Sequence, residues 1–139
     1  MIYCKGIEKS YGNVRVLKGD DLELEAGRVA SIMGSSGAGK STLLHLIGTL
    51  DKPDAGKIVL DDTDVFSLNH KQLALFRNRS IGFIFQFHHL LPELTALENV
   101  SLPGFIAGFE TKTVESRAQS LLEFLGLSDR LSHKPSELS

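Results

Sequence analysis

A nine-residue run rich in glycine and serine, at residues 34–42, contains the residue types that hold phosphate groups; we call it the phosphate loop. It fits the pattern G-x-x-x-x-G-K-[ST], in which the glycines let successive backbone N–H groups converge on phosphate oxygens. Lys40 is expected to reach the β- and γ-phosphates, Ser41 to coordinate Mg²⁺ through its hydroxyl, and Thr42 to support the α-phosphate side. The pattern predicts a nucleoside triphosphate site formed by Gly34, Ser35, Ser36, Gly37, Ala38, Gly39, Lys40, Ser41 and Thr42.

The phosphate loop has this chemistry only when it joins a strand to a helix. Residues 29–33 form an apolar run that predicts a buried strand, and the apolar residues within 43–50 have the spacing of a packed helix. The first turn of that helix, near Lys40, adds unpaired N–H groups and the positive end of the helix dipole. A glycine- and serine-rich connection that ends in Lys-Ser by chance is the alternative, and the flanking elements disfavour it.

Short strands are predicted on both sides of the phosphate loop from β-forming segments bounded by turn residues. They are expected at residues 2–7, 14–17, 21–25 and 57–60, with turns at residues 11–13, 18–20, 51–56 and 61–64. The first three of these strands are close together in the sequence, which predicts an antiparallel sheet at the start of the chain. The small β region therefore brackets the phosphate loop.

The second half of the chain reads mainly as helical. A helix over residues 69–78 with Asn69 as its cap, an apolar parallel strand at 81–85, and helices at 94–100 and 111–125 that end before Gly126 are predicted. Gln86 follows the strand, at the end where open α/β sheets bind ligands. The fold class is α/β with an incomplete sheet. Residues 1–91 are expected to form an N-terminal antiparallel β subdomain together with a P-loop NTPase core, and residues 92–139 the start of a helical subdomain.

Composition limits the classes of function. At 139 residues, with 42% hydrophobic and 23% charged residues, the chain has the composition of one ordinary globular domain. A net charge of −2 disfavours DNA or RNA as the main partner, because nucleic-acid-binding domains are usually basic. Cys4 is the only cysteine, so a disulfide framework is excluded and the thiol is expected to pack as a small apolar residue. No apolar stretch approaches the roughly 20 residues that span a bilayer, so any membrane role is expected to depend on a partner.

The order of the motifs resembles the nucleotide-binding subunits of ABC transporters over essentially the whole chain. The segment EKSYG at residues 8–12 precedes the phosphate loop, and IGFIFQ at residues 81–86 follows it. The resemblance implies that Tyr11 stacks on the adenine of ATP, because an aromatic face holds a flat base without hydrogen bonds. It also implies that Gln86 ligates Mg²⁺ or its water, senses the membrane subunit and joins Lys40 in catalysis. The alternative for Tyr11 is an aromatic side chain that only shields the turn. The alternative for Gln86 is an ordinary polar residue at the end of a strand.

The segment QFHHLLPELTALENV at residues 86–100 is similar to the ATPases of lipoprotein-releasing complexes, the LolD-type subfamily. This likeness implies that ATP binding closes two subunits head to tail and that hydrolysis resets them. The work would be the release of lipoproteins through integral membrane permease subunits, with the ATPase peripheral on the cytoplasmic face of the inner membrane. MacB-like exporter ATPases share much of the segment and are the alternative subfamily.

Two departures from the family pattern stand out. Asp62 occupies a turn position where the family usually has glycine, and aspartate tolerates turn geometry. The chain also ends at residues 137–139, where family members continue into the signature motif and the glutamate that polarises the attacking water. The resemblance therefore implies the N-terminal portion of an ABC-type ATPase, which binds ATP with Mg²⁺ but does not hydrolyse it without those residues.

Three other classes of function remain as alternatives. A soluble ABC ATPase of translation or DNA repair usually brings a second nucleotide domain or long coiled-coil insertions. An unrelated P-loop kinase or GTPase would share only the phosphate loop, and the chain has no Asn-Lys-x-Asp segment for guanine. The last of the three alternatives is a nucleotide-binding module without catalysis, which fits these 139 residues taken literally.

Other polar and apolar clusters have less specific interpretations. Adjacent His88 and His89 point apart in an extended segment and lack further ligands, so a solvated or partner-contacting loop is favoured over a metal site. The acidic residues of 61–64 lack the spacing of a calcium loop and favour a solvated turn. The apolar residues at 102, 105, 106 and 109 are interpreted as helical core, with docking of a membrane subunit as the alternative.

Overall fold

Strands dominate the first half of the chain and helices the second; the computed structural model describes residues 1–87 and 89–138. The elements are β1 (Ile2–Tyr11), β2 (Val14–Leu24), α1 (Lys40–Ile47), β3 (Ala55–Leu60), β4 (Thr63–Asp64), α2 (His70–Ser80), α3 (Ala96–Ile106) and α4 (Thr111–Phe124), with 3₁₀ turns at Val65–Ser67, Ser128–Arg130 and Pro135–Glu137. They form two compact units, Met1–Arg77 and a unit that begins at Asn78. The subdomain division expected between residues 91 and 92 stays a prediction.

The sheet of the first unit is antiparallel, as the sequence predicts for its opening. Its strand order is β2-β1-β3-β4, and each neighbouring pair runs antiparallel. A tight turn at Gly12, with a φ of 57°, joins β1 to β2. Asp61 and Asp62 join β3 to β4 with φ values of 43° and 65°, the double left-handed turn that matches strand twist. Aspartate therefore does adopt the geometry for which the family pattern uses glycine.

The predicted break at residues 18–20 is wrong. β2 is continuous from Val14 to Leu24 because β1 also runs longer than expected, to Tyr11, and pairs along its length. The turn residues are absorbed as irregularities, with register shifts between Cys4 and Ile7, between Ile7 and Glu8, and further along the pair. Turn-forming residues in a strand produce a bulge rather than a turn when both sides still have a partner strand.

The core of the first unit lies between the sheet and α1. Its buried apolar residues are Cys4, Ile7, Leu17, Leu46, Ile58, Leu60 and Val65. Burial raises the pKa of the Cys4 thiol to about 11, so the thiol stays protonated at neutral pH. The expectation that Cys4 packs as an apolar residue of the first strand is confirmed.

The two predicted apolar strands beside the site residues are not formed. Residues 29–33 have no strand assignment, with Val29 98% and Met33 88% exposed, and residues 81–85 likewise have none, with Ile84 fully exposed. An apolar run identifies a segment suited to burial, but a strand forms only where a second strand supplies hydrogen bonds. Within residues 1–87 and 89–138, no strand pairs with either segment. The predicted parallel pairing is therefore wrong for this structure.

Side-chain caps fix the starts of two helices. The Asn69 carboxamide oxygen accepts from the Gln72 N–H at 2.9 Å, which confirms Asn69 as the cap of α2. The predicted helix at 94–100 instead runs from Ala96 to Ile106. Its start is a capping box, in which Glu98 accepts from the Thr95 N–H at 2.7 Å and donates its own N–H to the Thr95 hydroxyl at 3.2 Å.

In the second unit, α3 packs on α4 through small residues. A Cβ added to Gly104 would lie 2.9 Å from the Val114 side chain, and buried Ser101 lies on the same helix. Of the four apolar residues expected in this core, Leu102 is partly buried, whereas Phe105, Ile106 and Phe109 are exposed by 39%, 63% and 61%. Apolar spacing alone does not identify the packed face, which explains the error. No helix in the described ranges is long and apolar enough to cross a membrane.

Three helices end in the same backbone motif, but one of them carries an unusual residue there. Gly108 and Gly126 terminate α3 and α4 with φ values of 80° and 73° and paired 6→1 and 5→2 hydrogen bonds. Thr49 fills this position after α1 with a φ of 56°, donating to Leu46 while Leu50 donates to His45. A β-branched residue is strained in this conformation.

We expect Thr49→Gly to stabilise the chain by about 1 kcal/mol, because it removes left-handed strain of about 1–2 kcal/mol at some cost in unfolded-chain entropy. The Thr49 hydroxyl is also buried without a hydrogen-bond partner among the described residues. Urea unfolding followed by circular dichroism measures the change. The reciprocal change at the equivalent position of α4, Gly126→Thr, should destabilise the chain, and a destabilising Thr49→Gly would contradict the argument.

Candidate functional site

The phosphate loop of the structure is a compact turn that leads directly into α1. Gly37 and Gly39 have φ values of 79° and 86°, which side chains adopt only with strain, and Gly39 is the residue immediately before the helix. The Ala38 N–H donates to the Ser35 carbonyl at 3.3 Å, and the Leu43 N–H donates to Gly39 at 2.9 Å. The predicted helix after the loop is confirmed, and its free N–H groups face the loop side.

Close packing holds the loop against the sheet. A Cβ on Gly39 would lie 2.9 Å from Leu17 Cδ2 and 3.1 Å from Val16 Cγ1 of β2. Gly39 is buried, so the backbone at this point cannot move outward without losing contact with the strand. Gly39, the third glycine of the phosphate loop, is therefore required by packing as well as by conformation.

Lys40 is held over the phosphate loop by two hydrogen bonds to the loop backbone. Its Nζ donates to the carbonyl oxygens of Gly34 at 2.9 Å and Ser35 at 2.6 Å. These acceptors are neutral, and no ion pair joins Lys40 to a carboxylate in the part of the chain that the structure describes. The positive charge is thus positioned but not compensated, which suits the binding of an anion.

A cavity of about 230 Å³ brings Tyr11 together with the phosphate loop. Its lining is Tyr11, Val16, Gly37, Ala38, Gly39, Lys40, Ser41 and Thr42. An aromatic ring, a lysine and the start of a helix therefore share one open space. Ser41 is among the lining residues, and its hydroxyl is a hard oxygen donor of the kind that Mg²⁺ prefers, so the residues present fit the predicted metal. Ser36, also predicted, lies exposed in the loop.

Tyr11 is anchored by a charged pair that the sequence analysis missed. The Tyr11 hydroxyl donates to Asp51 Oδ2 at 2.8 Å, and Lys9 Nζ donates to Asp51 Oδ1 at 2.8 Å. Lys9 Nζ also donates to the Lys52 carbonyl at 2.7 Å and lies 5.2 Å from the centre of the Tyr11 ring. One feature of the sequence does point to Lys9: it lies two residues before Tyr11, which puts both side chains on the same face of a strand.

The pKa shifts of this cluster follow from its hydrogen bonds. The bond to Asp51 raises the pKa of Lys9, and the same partner raises the pKa of Tyr11. The bond from Lys9 lowers the pKa of Asp51, and the bond from Tyr11 adds to that effect. Lys9 is therefore positively charged and Asp51 negatively charged at neutral pH, while the phenol stays protonated and can donate.

Three other residues considered in the sequence analysis, Gln86, His88 and His89, are not among the residues that line this cavity. Gln86 is exposed and belongs to the second unit, so its role with Mg²⁺ stays a prediction. His88 lies outside the described residues. His89 is exposed with a φ of 47°, and its ring packs edge-on to Phe85 at 4.7 Å between centroids. In residues 1–87 and 89–138, no three histidine, cysteine or acidic side chains gather as metal ligands.

Comparison with known proteins defines the class of this fold and site. Residues 17–139 match the family model described as ABC transporter, and the chain belongs to that family. A solved dimeric ATP-binding cassette, in a post-hydrolysis state bound to ADP and Pi, superposes with a TM-score of 0.89 at 38% identity, over 100% of this chain and 63% of its own.

More similar sequences carry a narrower name. The lipoprotein-releasing system ATP-binding protein LolD of Bacteroides thetaiotaomicron is 58% identical over 139 residues, which is 100% of this chain and 64% of the relative. The LolD protein of Porphyromonas gingivalis is 54% identical over the same shares. The chain thus spans about two thirds of the length of the curated relatives it matches.

Proposed function

We propose that the chain is part of the ATP-binding subunit of an ABC transporter that releases lipoproteins from the inner membrane. The observation that carries the proposal is the single cavity lined by Tyr11, Lys40 and the glycines of the phosphate loop. The ring of Tyr11 offers a flat face on which a base can stack. Lys40 offers a positive charge, and the backbone of the phosphate loop offers N–H donors for the phosphates. The names of the relatives support lipoprotein release over the MacB-like or soluble alternatives.

The residues of the site have separable roles in this proposal. The backbone N–H groups of the loop and of the first turn of α1 hold the phosphates, and Lys40 exchanges its two carbonyl acceptors for phosphate oxygens. Thr42 supports the α-phosphate side. Ser41 would hold Mg²⁺ through its hydroxyl, and the family resemblance adds Gln86 as a further ligand; the ion would supply positive charge against the phosphates.

Partners and place in the cell are part of the same proposal. The solved cassette that the chain resembles is dimeric, which supports pairing of two subunits head to tail around ATP. The relatives' name supports attachment to integral membrane permease subunits, with the ATPase peripheral on the cytoplasmic face. Exposed apolar side chains at Phe105, Ile106 and Phe109 give the second unit a surface of the kind that such contacts use.

The test separates binding from turnover. Calorimetric titration should show that this chain binds ATP in the presence of Mg²⁺ and binds adenosine far more weakly. Turnover is measured on a chimera that continues this chain with the remainder of the Bacteroides thetaiotaomicron relative, since the chain spans 64% of it. Phosphate release by the chimera and not by the chain is the expected result. Absence of ATP binding by both proteins would refute the proposal.

A further inference from the structure

The ring of Tyr11 is half exposed, yet two contacts fix its position. Its accessible fraction is 49%, a degree of exposure at which an aromatic side chain ordinarily exchanges between rotamers. Here the hydroxyl is tied to Asp51 at 2.8 Å and the Lys9 ammonium lies 5.2 Å from the ring centre. The ring therefore has a fixed place in the wall of the cavity that it shares with the phosphate loop.

The anchor is itself rigid. The Lys9 side chain is only 11% exposed, and its ammonium donates both to Asp51 and to the Lys52 carbonyl at 2.7 Å. Asp51 and Lys52 lie in the turn between α1 and β3, whereas Lys9 and Tyr11 lie near the end of β1. The pair thus joins β1 to the turn after the phosphate-loop helix. A buried lysine with two acceptors is costly to displace.

The charges also suit a neighbouring anion. A lone carboxylate beside a triphosphate would repel it, but Lys9 neutralises Asp51 at 2.8 Å. Asp51 can therefore act as the acceptor for the Tyr11 hydroxyl without adding net negative charge near the cavity.

We propose that Lys9 and Asp51 are positioning residues, which hold the Tyr11 ring in the cavity wall ready to stack on the base of the bound nucleotide. This inference rests on the proposed function. Ordering an exposed side chain on binding costs about 0.5–1.5 kcal/mol, and a ring that is held beforehand avoids most of that cost. The anchor should contribute to the binding of the base and not to the binding of the phosphates.

The experiment compares two ligands, ATP and inorganic tripolyphosphate, each with Mg²⁺ and each titrated into the chain and its variants. Tyr11→Phe keeps the ring but removes the hydroxyl that reaches Asp51. It should raise the Kd for ATP about three- to tenfold and leave the Kd for tripolyphosphate unchanged. Asp54→Asn is the matched control, because Asp54 lies in the same turn and accepts from the Ser10 N–H at 2.6 Å without contacting Tyr11. It should change neither Kd.

A second variant removes the anchor without leaving a buried charge unpaired. Lys9→Met combined with Asp51→Leu should reproduce the loss of ATP affinity, and adding Tyr11→Phe to it should cause no further loss. Unchanged ATP binding in Tyr11→Phe, or equal losses for both ligands, would overturn the inference while the proposed function stands. An unsubstituted chain that binds neither ligand would overturn the proposed function and this inference with it.

Discussion

Replacing Lys40 by alanine should weaken ATP binding about 10- to 100-fold. Hydrogen bonds to charged groups contribute about 1.5–3 kcal/mol, and each 1.4 kcal/mol is a factor of ten in Kd. Among the described residues, the Lys40 ammonium donates to the carbonyls of Gly34 and Ser35, which are exposed to solvent, so its removal leaves neither of these acceptors buried and unsatisfied. The loss should appear in binding and not in folding. Calorimetric titration with ATP and Mg²⁺, beside a urea unfolding curve, measures both.

Lys112→Ala is the control for the loss of a positive charge. Lys112 is exposed on α4 and does not line the phosphate-loop cavity. Its replacement should leave the Kd for ATP within twofold, since a single exposed charge is largely screened by salt. If Lys40→Ala bound ATP as tightly as Lys112→Ala, the phosphate-loop assignment would be wrong.

The local rules of sequence predicted the parts of the fold that depend on neighbours along the chain. The turn at Gly12, the cap at Asn69 and the helix stop at Gly126 were all read from residue types that the backbone conformation requires. Each depends on a few adjacent residues, so a sequence contains the needed information. The start of α1 beside the glycines of the phosphate loop belongs to the same group.

The predictions that failed depend on partners far along the chain. Residues 29–33 and 81–85 have the composition of buried strands, but pairing requires a second strand at the right distance, and composition cannot supply it. Phe105 was interpreted as core for the same reason: its spacing fits a packed helix face, while the contact with α4 is made by Gly104. Apolar patterns report what a segment can bury and not what covers it.

The sequence analysis named candidate ligand-binding residues in the phosphate loop and at Tyr11, but not the residues that support them. The phosphate loop and Tyr11 come together in one cavity, as the motif order suggested. Asp51 and Lys9 were missed because their roles arise only when β1 and the turn after α1 are brought together in space, with the two residues 42 positions apart. A motif marks the residues that touch a ligand, whereas the residues that hold them are found by geometry.

The backbone of Gly56 lies close against that of β1, and Gly56→Ala should destabilise the chain by about 3–4 kcal/mol. An added Cβ would lie 2.4 Å from the carbonyl oxygen of Gly6 and 2.7 Å from that of Lys5. These atoms belong to β1, at the register shift between Lys5 and Glu8 where β1 and β3 approach. Overpacking costs about 1–3 kcal/mol, and the φ of 95° adds about 1–2 kcal/mol for alanine. Because the obstacle is backbone, it cannot be relieved by a side-chain rotation.

Gly12→Ala separates the two contributions. Gly12 also has a positive φ, 57°, but a Cβ there would meet no atom within 4 Å, so only the conformational cost of about 1–2 kcal/mol applies. Urea unfolding of both variants, followed by circular dichroism, should give Gly56→Ala a much lower free energy of unfolding than Gly12→Ala. Gly56→Ala could also be unfolded already without denaturant. Equal losses would show that β1 and β3 can separate at the Gly6 bulge without cost. The close approach of the two strands would then not be what fixes the register of the sheet that carries Lys9 and Tyr11.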